Sequence, residues 1–519
     1  MASLSTQVLV IGGGATGLGI AWDAALRGLK VVLIEQFDLA QGTSGRYHGL
    51  LHSGGRYVVS DPQSALDCAH ENQILRNIAP TTIENTGGLF IATPADPLDY
   101  SDRWHAACQK LGVPADELSL SSLNEREPLL NPRIARAFEL QDAALDSFDL
   151  AHLLKDNIEA AGGQVLLRHR LDRLRREGER TTGAEISDLI TGRRFNLDAE
   201  VVVNAAGPWA AGVARLARVD LPLSLGKGTM VAMATRIVDT VVNRLKPPSD
   251  GDIIVPVGTV CVLGTTDTPV ESPDALEIQP WEIDLLIAEG DFMIPGLQSA
   301  RALRAWAGIR PLYQPGPAQG ETRSLPRAHA LLDHKEADGV DGLVSIIGGK
   351  LTTFRLMAEE TVDLICNKLE QEATCTTATT PLAPAASTTL FTLPERLERQ
   401  SESVSRSDND HLICECELVN QTQLERAILS DERPSLDDLR RDLRLGMGPC
   451  QGAFCAYRAA GIASRIKPSI VSVSFLESFL NERLKGLSPL AWDGGLRQID
   501  FMRRIYLELL GDEHRTNLT

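Results

Sequence analysis

Four cysteines near the end of the chain carry the clearest chemical signal: Cys414-Glu415-Cys416, then Cys450 and Cys455 within a glycine-rich run that starts at Gly446. Two close pairs of thiolates can surround one soft metal centre, because each pair brings two sulfurs to the same side of a turn. Gly446, Gly448 and Gly452 let the backbone approach the sulfurs with its amides pointing inward. The C-x-C and C-x4-C spacings depart from the C-x2-C knuckles usual for tetrahedral zinc. A 2Fe–2S cluster is therefore expected, with zinc as the alternative. A disulfide is a third reading, but nothing implies an oxidising compartment, since the amino terminus does not read as a cleavable leader and nine cysteines leave one over. Cys68, Cys108, Cys261, Cys366 and Cys375 each stand alone and are expected to be small buried hydrophobes.

A cluster needs an electron donor, and the other end of the chain offers one. The apolar run 7–11 leads into Gly12-Gly13-Gly14-Ala15-Thr16-Gly17, a helical stretch reaching Gly28, and a second apolar strand ending at Glu35. This is the order of a dinucleotide-binding βα turn. Gly12 makes the tight turn, Gly14 lets the pyrophosphate approach, and Gly17 permits close helix–strand packing. Glu35 would accept from a ribose hydroxyl and disfavour a 2′-phosphate, so FAD or NAD fits and NADP does not. The loops 41–46 and 52–57 are rich in small residues and hydroxyls that could line a flavin. The segments 201–209 and 343–353 each read as a buried strand feeding a glycine turn.

Together the GxGxxG turn, His52-Ser53-Gly54-Gly55-Arg56-Tyr57, Asn204-Ala205-Ala206-Gly207-Pro208-Trp209, Leu263-Gly264-Thr265-Thr266-Asp267, Gly308-Ile309-Arg310-Pro311-Leu312 and Gly348-Gly349-Lys350-Leu351-Thr352-Thr353 resemble the FAD-dependent glycerol-3-phosphate dehydrogenases. The cysteine segment resembles the bacterioferritin-associated-ferredoxin type of 2Fe–2S domain. Both in this order are similar to the catalytic large subunit of the anaerobic branch of that family. The resemblance implies an α/β fold, with a Rossmann-type FAD lobe and a mixed-sheet substrate lobe of the D-amino-acid-oxidase kind. It implies FAD contacts at Gly12, Gly14, Gly17, Glu35, Gln36, Thr43, Ser44, Ala206, Gly207, Gly349, Leu351 and Thr352, and cluster ligation by Cys414, Cys416, Cys450 and Cys455. It further implies hydride transfer from glycerol 3-phosphate, with Arg56, Arg310 and Arg327 on the phosphate and Tyr57 assisting Arg56. It implies Lys350 near the flavin or the phosphate, the alternative being that this lysine only neutralises the cofactor diphosphate. The histidine that many aerobic relatives place after a Lys-Gly-Ser/Thr turn is missing from Lys227-Gly228-Thr229-Met230. His52 is the expected base, ahead of Lys350, Lys227 or Thr229. Electrons would leave through the cluster, a second soluble subunit, then an iron–sulfur membrane-anchor subunit to a quinone, on the inner face of the cell membrane. A flavin dehydrogenase of an amino acid or 2-hydroxy acid is the competing enzyme, and an electron-transfer subunit without a substrate site is the competing non-enzyme.

The remaining sequence bounds this reading. With 519 residues, 43% apolar content and a formal charge of −18, the chain suits a large two-lobed soluble body and lacks the basic surface that nucleic acid requires. The expected layout is a dehydrogenase over 1–373, a linker rich in Thr, Ala, Pro and Ser over 374–410 with one short helix, a cluster domain over 411–465 and a helical tail over 466–519. In the tail, residues 474–483 and 496–510 have helical apolar spacing, and packing against the body is expected for both, with a partner-subunit surface as the alternative.

Overall fold

The computed structural model describes residues 4–315, 328–383, 394–398, 401, 410–431, 433–470, 472–491 and 495–508. Five parallel strands form the heart of an eight-stranded sheet in the order Gln164–Leu167, Val31–Glu35, Leu4–Ile11, Arg194–Asn204, Leu343–Gly348. Val8, Leu9, Val10 and Ile11 are all buried, as a central parallel strand with both faces covered requires. The helix Ala15–Leu26 covers one face and packs on the helix Phe354–Lys368. Gly19 makes that approach possible, since a Cβ there would lie 2.9 Å from the Phe354 ring. Ile11, Glu35, Asn204 and Gly348 all end at one edge, where open α/β sheets bind ligands.

A nine-stranded mixed sheet stands over that edge, built from Gly88–Ala92, Arg136–Leu140 and strands between Leu223 and Tyr313. Leu223–Met233 pairs with Ala302–Tyr313 almost along its full length. The mixed sheet expected of the substrate lobe is present, and includes Ile253–Val257, Val260–Gly264 and Ala302–Tyr313. Because its strands come from both sides of Arg194–Asn204 in sequence, the two lobes are interleaved.

The buried pair Glu71 and Arg355 ties the helix Pro62–Ile78 to Phe354–Lys368. Arg355 Nε and Nη2 donate to Glu71 at 2.8 and 2.5 Å, with the Glu71 side chain 0% and that of Arg355 2% exposed. Removing Glu71 leaves the buried Arg355 with only the partly exposed Glu359, paired through Nη1 at 2.6 Å, so Glu71→Ala is expected to destabilise the FAD lobe by about 3 kcal/mol. A denaturation midpoint close to that of the parent would contradict this.

Residues 374–383, expected to open the linker, are instead held on the first lobe. Thr377 and Leu382 are buried, Arg355 donates to Thr377 Oγ1 at 3.2 Å, and Leu382 N donates to Ile78 O at 2.8 Å. Polar composition suggested a tether, whereas these threonines serve as hydrogen-bond partners. Residues 394–398 are helical, as expected of one short helix there. The cysteine module folds as a small hairpin, Leu412–Cys414 with Val419–Asn420, followed by the helices Gln421–Ser430, Leu436–Leu443 and Cys455–Ile466. Capping boxes at Asn420/Gln423 and Ser435/Asp438 start the first two.

The module is bolted to the FAD lobe by ion pairs of Arg441 with Asp38, Arg168 with Asp431 and Asp438, and Arg444 with Asp146. The tail helix Ser472–Leu487 buries Phe475, Phe479, Leu480 and Leu487 in a core shared with the mixed sheet. In the last helix, Gly495–Glu508, Met502 is buried but Phe501 is 62% exposed, so the apolar stripe expected to include both residues is narrower. No helix among the described residues is long and apolar enough to cross a membrane.

Candidate active site and cluster centre

The strand ends and the mixed sheet enclose a cleft of about 1200 Å³. Gly12 adopts φ +115°, and a Cβ there would lie 2.6 Å from Ala205 O. On Gly17 it would fall 2.0 Å from Gly12 O. The glycine spacing is thus demanded by the fold, and Gly14, as N-cap, opens the helix without a side chain of its own over the amides. Glu35 Oε2 accepts from Gly13 N at 2.8 Å and Oε1 from Phe37 N at 2.9 Å, which fixes the carboxylate at the strand end. Burial raises its pKa, against these hydrogen bonds. Gln36, Thr43, Ser44, Ala206, Gly207, Gly349, Leu351 and Thr352 all line the same cleft. Ser44 Oγ accepts from Ala15 N at 3.0 Å, and Thr43 Oγ1 donates to Ile309 O at 2.5 Å. Gly349, at φ +72°, leaves room for Met357 Sδ, 2.3 Å from where its Cβ would be. A cradle that any Cβ would fill, beside a fixed carboxylate and in a cleft of this size, fits FAD.

The same cleft is lined by His52, Arg56, Tyr57, Arg310 and Lys350. Arg56 Nη2 donates to the buried Asp252 at 2.9 Å, and this carboxylate holds the guanidinium charged against its burial. Arg310 is held more firmly, with Nη1 on Asp267 at 2.7 Å and Nη2 on Thr265 Oγ1 and Thr266 O at 2.6 and 2.9 Å. Gly228 is required beside it, since a Cβ would lie 2.3 Å from Arg310 Nη2. Lys350 Nζ donates to Ser64 Oγ at 2.8 Å and lies 4.6 Å from the centre of the Tyr57 ring. The Tyr57 ring meets that of His52 edge-on at 5.3 Å. Burial pushes the His52 imidazole well below its ordinary range, helped by His48, Arg56 and Lys350, so it is neutral near pH 7. Arg327 lies outside the described residues.

Lys227 and Thr229 are not available as bases. Both are buried on Glu282, with Lys227 Nζ at 2.7 Å from Oε2 and Thr229 Oγ1 at 2.7 Å from Oε1, and neither lines the cleft. A lysine buried beneath a sheet needs a carboxylate, and Glu282 supplies it.

The loop carrying His52 and Arg56 is pinned at several points. Asp142 Oδ1 accepts from both Ser53 N and Ser53 Oγ at 2.7 Å, and its Oδ2 accepts from Asn243 Nδ2 at 3.0 Å. Thr352 Oγ1 accepts from His52 N at 3.1 Å, and Trp104 Nε1 donates to Gly55 O at 2.8 Å. Asp142→Ala strands buried donors, each worth about 1–3 kcal/mol, so looser substrate binding and a lower unfolding temperature are expected. Asp142→Asn, which keeps the shape and one acceptor, is expected to recover part of both. Equal KM values for glycerol 3-phosphate in parent and Asp142→Ala would contradict this.

The four cysteines meet as two pairs. Cys416 and Cys450 sulfurs lie 3.9 Å apart, and Cys414 and Cys455 share a hydrogen bond. Within each pair one thiol is held down by its neighbour: Cys450 to about 6, first through Cys416 and then through the amides of Gly452, Ala453 and Phe454, and Cys414 through Cys455. A Cβ on Gly448 would lie 2.2 Å from Cys416 Cβ, so only glycine fits the loop there. Among the described residues no three His, Cys, Asp or Glu converge on a point suited to one ion. Two irons are held by two pairs of thiolates, and the two sulfur pairs here fit a 2Fe–2S cluster. Of the other five cysteines, Cys68, Cys108, Cys261 and Cys366 are buried as expected, and Cys375 is half-buried against Thr377 Oγ1 at 3.0 Å.

A family model described as FAD-dependent oxidoreductase matches residues 7–364, and one for BFD-like 2Fe–2S binding domains matches residues 412–465. The A-subunit of the anaerobic glycerol-3-phosphate dehydrogenase of Escherichia coli (strain K12) is 40% identical, with 98% of each chain covered. The chain belongs to the family of anaerobic glycerol-3-phosphate dehydrogenase A-subunits. The A1-subunit of the Haloferax volcanii enzyme is 39% identical, over 95% of this chain and 89% of that one. Among solved structures, the glycerol-3-phosphate dehydrogenase from Bacillus halodurans complexed with FAD shares the fold of this A-subunit family member at TM-score 0.59 and 23% identity, over 98% of this chain and 94% of that one. Glycine oxidase from Bacillus cereus does so at TM-score 0.57 and 22% identity, over 71% and 98%.

His48 and Lys485 are among the cleft residues of this A-subunit family member that escaped the sequence reading, whereas Arg46 lies in the loop 41–46 expected to line the flavin. His48 sits between the two loops that drew attention, close to both Arg56 and Arg310. Burial, then those two charges, push its pKa down to about 3. Its Nδ1 accepts from Leu50 N at 3.1 Å, so Nε2 carries the proton of the neutral ring. Arg46 lines the cleft from the same stretch, and Lys485 reaches it from the tail. The Tyr47-His48 dipeptide amid small residues was a usable signal for the first. Nothing local marks Lys485.

Proposed function

We propose that the protein oxidises sn-glycerol 3-phosphate to dihydroxyacetone phosphate. The observation that carries this is that Arg56 and Arg310 line, together with His48, the cleft that holds the glycine cradle. Two guanidinium forks gain more from a phosphate dianion than from a monoanion, and each is held in place by a carboxylate, Asp252 or Asp267. Arg46, Lys350 and Lys485 add positive charge to the cleft of a chain with formal charge −18, a local field that draws an anionic substrate inward.

Arg56 and Arg310 hold the phosphate, and Tyr57 braces Lys350 beside it. Substrate pinned there presents its C2 hydroxyl to His52, which takes the hydroxyl proton. The charges that depress His52 are Arg56 and Lys350 as well as its burial, and a bound dianion offsets them, moving the imidazole back towards the range of a working base. FAD, held by the residues around Gly12, Gly14 and Glu35, supplies the acceptor for the C2 hydride, and the cluster on Cys414, Cys416, Cys450 and Cys455 supplies a one-electron exit. Beyond it we place a second soluble subunit, then an iron–sulfur membrane-anchor subunit, which together pass electrons to quinone and hold the chain at the inner face of the membrane. That the relatives are named as one lettered subunit of an enzyme supports the existence of others.

Anaerobic mixing of the flavin-loaded protein with a substrate panel tests the reading. Glycerol 3-phosphate should bleach the flavin, while glycerol, amino acids and 2-hydroxy acids should not. Bleaching by an amino acid or 2-hydroxy acid in preference would replace the proposed substrate.

A further inference from the structure

The helix Ser472–Leu487 touches both centres, although the sequence that builds each lies elsewhere. In its middle, the Phe479 ring walls the cysteine loop: a Cβ on Gly452 would come within 2.6 Å of Phe479 and one on Gly446 within 3.0 Å. One turn on, the buried Arg483 guanidinium lies 4.9 Å from the centre of the Phe479 ring and donates through Nη1 to Gln451 Oε1 at 3.0 Å. Gln451, next to Cys450, relays that hold by donating to Met447 O and Gly448 O at 2.9 and 3.0 Å. Two residues past Arg483, Lys485 lines the flavin cleft. Gly486 seats the helix on Ala302–Tyr313, where a Cβ would lie 3.2 Å from Ala305 O. At about 1.5 Å of rise per residue, Phe479 and Lys485 are separated by about 9 Å along the axis. Less than two turns of one helix therefore bridge the cluster loop and the flavin cleft.

We propose that this helix is a strut that sets the separation of cluster and flavin, and that Arg483 is a positioning residue for electron transfer between them. The proposal rests on the electron-exit reading given above. Oxidation of one glycerol 3-phosphate removes two electrons and two protons. The hydride carries both electrons and one proton to the flavin, and the second proton goes to the base. A 2Fe–2S centre carries one electron at a time, so the pair leaves in two passages to an external one-electron acceptor, an iron–sulfur partner in the cell, and the hydride's proton returns to water. Each passage depends steeply on distance, which is the quantity the strut holds.

The test uses full-length holoprotein with FAD, iron and acid-labile sulfide quantified. In Arg483→Met, flavin bleaching by glycerol 3-phosphate should keep its parent rate, while the reduced-cluster EPR signal should appear about tenfold or more slowly. Amide hydrogen exchange over residues 446–455 should rise in the same sample. Arg483→Lys should restore part of both. If Arg483→Met loses iron, Arg483→Lys and Phe479→Leu are judged by the same two signals. Parent values for both cluster reduction and exchange in the variants would overturn the strut. A parent protein whose flavin bleaches while its cluster stays oxidised by substrate, yet accepts electrons from dithionite, would instead sink the electron-exit reading and the strut with it.

Discussion

Replacing His52 with glutamine is expected to slow flavin reduction by glycerol 3-phosphate by about 10²–10⁴-fold, the usual worth of a positioned general base. FAD content should be unchanged, because the Thr352 contact is made by the His52 backbone and not by its ring. The neighbouring histidine is the control. His48 Nδ1 is occupied by Leu50 N–H, so its other nitrogen is a donor, and His48→Gln is expected to weaken binding more than it slows the chemical step. The pH profile supplies an independent check. His52 in the free protein titrates below its ordinary 6.5, so the unprotonated base persists as pH falls through 6.5 and is lost only at lower pH. The acid limb of kcat/KM assigned to His52 should therefore lie below 6.5. A limb at or above that value, or an unchanged bleaching rate in His52→Gln, would remove His52 as the base.

Cys450→Ser separates the two halves of the reaction. Serine puts a hard, short-armed oxygen where the 3.9 Å pair with Cys416 needs a soft sulfur, so the protein should purify without iron and acid-labile sulfide. Substrate should still bleach the flavin at the parent rate, because the cysteine loop contributes no residue to the lining of the cleft. Electrons should then be stranded, and turnover with partner subunits and quinone should fall to almost nothing. Retained turnover with quinone in an iron-free variant would show that electrons leave the flavin by another route. Slower bleaching would show that the module also shapes the cleft.

Much of this arrangement was legible in the sequence, for physical reasons that can be named. The glycines at 12, 14 and 17 sit where side chains would strike Ala205 O, Ser44 Oγ or Gly12 O, and backbone constraints of that kind leave a local imprint on sequence. The cysteine pairs were readable for the same reason, since spacing and flanking glycines set the geometry. Lys227 and Thr229 misled because the Lys-Gly-Thr string, which lies within the strand Leu223–Met233 rather than in a turn, says nothing about Glu282, more than 50 residues away, which claims both side chains. Residues 374–383 misled because polar, proline-bearing composition describes solvated tethers and hydrogen-bonded surface segments equally well. Arg56 and Arg310 were assigned one role, yet their carboxylate partners Asp252 and Asp267 were invisible until the mixed sheet brought them together. Lys485 was the most hidden, because only the tertiary seating of the tail on Ala302–Tyr313 puts it in the cleft.

The central claim is that a hydride from glycerol 3-phosphate enters at the flavin and leaves as single electrons through the cysteine centre. Its most direct test is an anaerobic titration of the intact protein with glycerol 3-phosphate, following flavin absorbance and the cluster EPR signal in one sample of known FAD, iron and sulfide content. The account predicts bleaching of the flavin together with the appearance of a reduced 2Fe–2S signal. A fully flavinated sample that neither bleaches nor reduces its cluster would contradict it.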